Sequence, residues 1–203
     1  MSDNTKKIEE LSKRLVEPEW LSAWRKTALE KAATLPRDEK YGIGISALEL
    51  KEMPLLTQFP EYQVNASKGL ELYTWKEAMA QEEIAPILER LLQSPLLSPS
   101  LSKEQSLGRA FFQSGLVVYV QPHVDEKGEY QKETLELTTT ISLGAASDLV
   151  IVVAKEGAQL SMQSLIKGGE DSSVFLRTSI TLIEGESKVN LVSKTENARG
   201  FIS

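Results

Sequence analysis

The chain has 203 residues, 41% of them hydrophobic and 26% charged, and its 29 acidic against 23 basic side chains leave a net charge of −6. This is the profile of a globular protein long enough to bury a sizeable core, and it excludes a basic nucleic-acid footprint or a polybasic membrane patch. Cysteine is absent, which excludes disulfides, thiolate metal sites and cysteine nucleophiles within the chain.

The opening "MSDNTKKIEE" is polar and carries no apolar signal core. The longest apolar runs, "LVIVVA" and "LVVYV", are far too short to span a bilayer. A cytoplasmic location is therefore expected. The glycosylation sequon Asn65-Ala66-Ser67 would matter only in a secreted protein.

In chain order, Ile8, Leu11 and Leu15 share one face of a first predicted helix. The stretch "EPEWLSAWRKTALEKAATLP" predicts a second, opened by Pro18 and ended by Pro36. Along it Trp20, Trp24, Ala28, Ala32 and Leu35 recur at helical spacing and form one apolar stripe. Such a stripe serves either to pack the helix on the rest of the domain or to dock a partner, and packing is the better reading. "TWKEAMAQEEIAPILERLLQ" predicts further helix, with capping-box spacing at Thr74 and Glu77 and a break suggested by Pro86. "SPLLSPSLSKEQS" reads as a loop.

Composition changes near residue 110. Valine, isoleucine and threonine number 12 in residues 1–109 and 23 in residues 110–203, while seven of eight prolines and all three tryptophans lie in the first part. β-Branched residues favour strands and proline interrupts them, so the chain divides into a mainly helical region, 1–109, and a β-rich region, 110–203. In the latter, "IVVAKEGAQLSMQ" and "ITLIEGESKVNLV" each read as strand, Glu-Gly, strand, with Gly157 and Gly185 standing 28 residues apart. That period suits stacked β coils, and short strands with regular turns equally describe a sandwich.

Few residues suggest chemistry. Gly42, Gly44 and Ala47 match a loose dinucleotide-binding fingerprint, but charged "RDEK" precedes them where a hydrophobic strand is needed, so a plain turn is the better reading. His123 is the single histidine, beside the turn-like "DEKG", and reads as an exposed loop residue. "GGED", Gly168 to Asp171, reads as a solvated turn rather than a cation site. Glu82 and Glu83, adjacent on a predicted helix, point apart and do not form a carboxylate pair. No set of residues makes a catalytic centre, and the chain reads as a non-enzyme with no catalytic, cofactor or metal residue to name.

Three segments carry a resemblance. "EPEWLSAWRKTALEKAATLPRDEKYG" resembles the N-terminal signature of the SufB/SufD family, the scaffold subunits of the Suf iron–sulfur cluster assembly machine. "GRAFFQSGLVVYVQPHV" resembles a family strand segment through Gly115, Tyr119, Val120 and Val124, and "DLVIVVAKEGAQLSMQSLIKGG" resembles a family coil. The Leu-Pro followed by "RDE" leans toward the SufD type. Two places depart from the pattern, Leu107-Gly108 and Gln121-Pro122-His123.

The resemblance implies a right-handed parallel β-helix whose first coils occupy residues 110–203, fronted by helices, in a truncated or unusually short family member. Apolar residues such as Val152, Leu160 and Leu182 would then all point into the coil. It also implies a non-catalytic scaffold that works in a SufBCD complex with a SufB-like scaffold and a SufC-like ATPase, or as a homodimer. The cluster would belong to the whole complex and not to this chain, because the family's cluster-building and ATPase-docking parts follow this region. From other classes, a β-helix or sandwich binding module and a pectin-lyase-like enzyme are rivals. The low aromatic content, 6%, counts against the first and the single histidine against the second.

Overall fold

A computed structural model describes residues 3–35, 59–97 and 103–197. Among these residues five α-helices and seven strands follow one another: α1 Asp3–Arg14, α2 Glu19–Thr34, β1 Glu61–Ala66, β2 Leu70–Thr74, α3 Trp75–Met79, α4 Ile84–Leu92, α5 Lys103–Phe111, β3 Ser114–Val120, β4 His123–Val124, β5 Tyr130–Ala154, β6 Gln159–Ile183 and β7 Lys188–Asn197. The chain is thus mixed α/β. Strands β1 and β2 come from the helical front, yet β1 pairs with β5 and β2 with β3.

Local signals mark the starts of three helices. Pro18 is the N-cap of α2 and Leu35 its C-cap, while Pro36 lies outside the described residues. Thr74 and Glu77 form the expected capping box: the Thr74 Oγ1 accepts from the Glu77 amide, and the Glu77 carboxylate accepts from the Thr74 amide. The break in the third helical stretch falls between Met79 and Ile84, ahead of Pro86. Pro86 sits in the first turn of α4, where its missing amide hydrogen costs no helical bond. The expected loop at 94–106 holds a short 3-10 turn, Pro95–Leu97, and the start of α5.

The right-handed parallel β-helix expected for residues 110–203 is not the architecture the chain adopts. Its strands form open sheets of mixed direction. The large sheet runs β2-β3-β5-β6-β7, with β1 added on β5. Pairing is parallel for β3–β5, β5–β6 and β6–β7, but antiparallel for β1–β5 and β2–β3, and β4 makes a small antiparallel ribbon with the start of β5. For the β4–β5 ribbon the physical reason is local. A tight turn closed by hydrogen bonds between Asp125 and Gly128 and between Asp125 and Glu129 returns the chain on itself, and such a turn can join only antiparallel strands. β-Branched composition announces strands but says nothing of their partners or direction.

β5 and β6 each contain 25 residues and serve two layers. The later halves of β5 and β6 lie beside β3, and one face of this layer, with Val117, Tyr119, Leu149, Ile151, Val153 and Ile180, packs against Leu21 of α2 and Ile84, Leu88 and Leu92 of α4. The opposite face, with Leu116, Val118, Val120, Val150 and Val152, packs on Leu135, Leu137, Leu160 and Met162 from the earlier halves. Ile141, Ala146, Ile166 and Phe175 fill the bend between the layers. Both faces of the middle layer are therefore covered, which is why "LVVYV" and "LVIVVA" are unbroken apolar runs rather than alternating ones. It also corrects the expectation for one of the three side chains expected to point inward. Val152 and Leu160 share the core between the layers, whereas Leu182, register partner of Val153, faces the helices.

Candidate functional site

The helical front is seated by Arg25. Its side chain is 0% exposed and forms a two-pronged ion pair with Glu17, Nε to Oε2 at 2.8 Å and Nη2 to Oε1 at 2.6 Å. Its Nη1 donates to the Ala110 carbonyl of α5 at 3.0 Å, and its guanidinium lies 3.7 Å from the centroid of the Phe112 ring. Burial pulls the Arg25 pKa below its ordinary value and the Glu17 carboxylate opposes that pull. The fork geometry of an arginine is needed to meet a carboxylate, a carbonyl and an aromatic face together. Where the apolar stripe of α2 predicts Trp20 and Trp24 as the inward line, the buried line is Leu21, Arg25, Ala28 and Ala32. Trp20 and Trp24 flank it, half-buried against the core. A charged residue inside an apolar face is invisible to hydrophobic periodicity, and Arg25 was missed for that reason.

Each tryptophan borders a groove. On the Trp20 side, a groove of about 460 Å³ runs between the α1–α2 connection and α3–α4, lined mainly by Val16, Pro18, Trp20, Trp75, Met79 and Pro86. On the Trp24 side, a groove of about 310 Å³ lies among Trp24, Ala28, Leu92, Pro95, Leu97 and Arg109, with Thr27, Lys31, Gln93 and Ser94 also on its walls. Trp24 is held there by its indole N–H, which donates to the Leu92 carbonyl at 2.7 Å, and by an edge contact with Phe112. The tryptophans thus pack the helix and wall two surface clefts at once.

Polar groups gather at two further places. Tyr62, Ser114, Asp148, Arg177, Thr139 and Ser164 form a network in which Arg177 meets Asp148 and donates to both Thr139 and Ser164, while the Tyr62 hydroxyl reaches Ser114 and Asp148. Burial raises the Asp148 pKa and the Arg177 charge opposes this; burial also raises that of Tyr62. The second cluster joins Ser67, Glu133 and His123. The Ser67 hydroxyl donates to Glu133 Oε2, and His123 Nδ1 lies 3.2 Å from Glu133 Oε1. A nucleophile relay places the imidazole between hydroxyl and carboxylate. Here the carboxylate is in the middle, so the imidazole cannot take the serine proton, and the trio ties β1–β2, β4 and β5 together.

The residues singled out in the sequence fall as follows. His123 is solvent-facing, its side chain 60% exposed. Gly168 to Asp171 lie inside β6 and not in a turn, at a shift of register against β5, where a side chain on Gly169 would press within 2.8 Å of the Ser142 carbonyl. Glu82 and Glu83 sit in the turn between α3 and α4 rather than on a helix, and both border a shallow polar cleft with Glu71, Tyr73 and Tyr119. In that cleft the Tyr73 hydroxyl donates to Glu71, which pushes the Tyr73 pKa up to about 12. Asn65 is exposed on β1 and its amide donates to Glu136. Gly42, Gly44 and Ala47 lie outside the described residues. Among the described residues no group of three or more His, Asp or Glu side chains is placed to hold a metal ion, and no helix is long and apolar enough to cross a membrane. No protein-family model and no curated protein matches the chain.

Proposed function

We propose that the chain is a non-catalytic, SufD-like scaffold subunit of an iron–sulfur cluster assembly complex, acting in the cytoplasm beside a SufB-like scaffold and a SufC-like ATPase. The observation that supports this most is the use made of the segment resembling the family signature. In "EPEWLSAWRKT", Glu17, Trp24 and Arg25 seat α2 on α5 and on the carbonyl end of α4 through buried polar contacts. Gly115, in the second resembling segment, lies where a side chain would meet the Leu149 carbonyl at 2.9 Å and the Trp75 Cβ at 3.2 Å. These residue types serve close packing and not bond-making chemistry, which suits a subunit that passes motion between partners. The family resemblance implies that the motion comes from ATP turnover in the ATPase pair.

The test is a pull-down of the tagged full-length protein from its own cells. Recovery of an ABC-type ATPase together with a SufB-like protein is the expected result. Recovery of neither, under conditions that preserve other complexes, overturns the proposal in favour of an independent binding module.

A further inference from the structure

Three arginines of the described residues are buried or nearly so, and two of them face a carboxylate: Arg25 pairs with Glu17, and Arg177 with Asp148. Arg109 does not. It is only 8% exposed, its Nη1 donates to the Leu97 carbonyl at 2.6 Å, and its Nε is buried with no hydrogen-bond partner. Its guanidinium lies 5.8 Å from the centroid of the Trp24 ring. Burial lowers its pKa, with no carboxylate opposing that pull as Glu17 does at Arg25. A buried cation that lacks a counter-charge is costly to hold, and an orphaned donor beside it adds to that cost.

Arg109 also forms one wall of the Trp24 groove, whose remaining walls are largely apolar. From this we infer that the groove is a docking site for an acidic segment of a protein partner, with a carboxylate against Arg109 and a neighbouring apolar side chain against Trp24, Leu92 and Pro95. Charge complementarity selects the anion, since a carboxylate in the groove would neutralise the Arg109 guanidinium that lines it. Size selects a peptide: about 310 Å³ is at the lower limit of small-molecule sites, and the cleft opens to the surface, as a segment anchored by two adjacent side chains requires. The inference is independent of which assembly the chain serves.

The test uses the full chain with nitrogen-15 label and follows the Arg109 Nε–H and Trp24 indole N–H signals. Acetyl-Leu-Glu-Phe-Asp-amide is titrated in, alongside the neutral acetyl-Leu-Gln-Phe-Asn-amide, sodium acetate and inorganic phosphate. Saturable shifts of both signals with the acidic peptide, at least tenfold weaker with the neutral one and with either free anion, are expected. Arg109→Gln should weaken acidic-peptide binding at least tenfold while the other amide signals hold their positions. Unmoved signals at millimolar peptide, equal response to the neutral peptide, or undiminished binding by Arg109→Gln would overturn the site. Equal response to acetate or phosphate would overturn the peptide as its occupant. If Arg109→Gln does not fold, the native-chain Nε titration decides.

Discussion

Asp148 and Arg177 are direct register partners across the parallel β5–β6 ladder, and the guanidinium Nε reaches both carboxylate oxygens, at 3.0 and 3.2 Å. The pair lies where both strands enter the middle layer, roofed by the Tyr62 hydroxyl and flanked by Thr139 and Ser164. Removing either partner leaves the other charge buried. Asp148→Asn and Arg177→Met should each cost about 3–5 kcal/mol in urea unfolding, and the double variant Asp148→Asn/Arg177→Met distinctly less than their sum. Strictly additive losses would show that the two charges are not coupled.

The capping box at the start of α3 predicts a pH dependence. Hydrogen bonds from the Thr74 hydroxyl and amide hold the Glu77 pKa below its ordinary 4.5. A carboxyl whose folded value is depressed lends stability above its unfolded value, and that stability is lost as pH falls through the folded one. Acid titration of thermal stability should therefore show a shallower decline below pH 4.5 in Glu77→Gln than in the native chain. Identical acid limbs in the two proteins would rule this out.

Val16 is a β-branched residue at φ 54°, 80% exposed, in the connection between α1 and α2. An L-residue pays about 1–2 kcal/mol for that backbone region, and asparagine tolerates it better than most. Val16→Asn should raise the urea midpoint by the equivalent of about 1 kcal/mol, because the strain relieved exceeds what so exposed a side chain contributes by burial. An unchanged or lowered midpoint counts against strain at this position.

Gly128 and Gly157 both have positive φ, 82° and 78°, but differ in their surroundings. A side chain on Gly128 meets nothing within 4 Å, whereas one on Gly157 comes within 2.9 Å of the Tyr130 ring. Gly128→Ala should cost about 1 kcal/mol from backbone conformation alone, and Gly157→Ala should cost more. The double variant Gly157→Ala/Tyr130→Ala should recover the excess. Equal costs for the two single variants would show that the Tyr130 contact is immaterial.

The scaffold proposal carries its own biochemical expectation. With no cysteine and one histidine in the chain, anaerobic reconstitution of the purified 203-residue protein should leave it without a cluster. Stoichiometric iron and sulfide, with charge-transfer absorbance, would contradict the assignment of the cluster to other parts of the complex.

What the sequence by itself determined is local: the start of α2 at Pro18, the Thr74–Glu77 capping box of α3, and the Glu-Gly turns at Gly157 and Gly185, both at positive φ. Each depends on residues a few positions apart, where steric and hydrogen-bonding preferences act without help from the rest of the chain. Which strands pair, and in which direction, depended on contacts between distant segments. Tyr62 meets Asp148, and Arg25 meets Ala110, across 86 and 85 residues. Only the folded chain placed the Arg177 charge beside Asp148 and, among the described residues, left Arg109 without a partner charge, because a buried ion is stabilised by whichever groups packing brings to it and not by its neighbours in sequence.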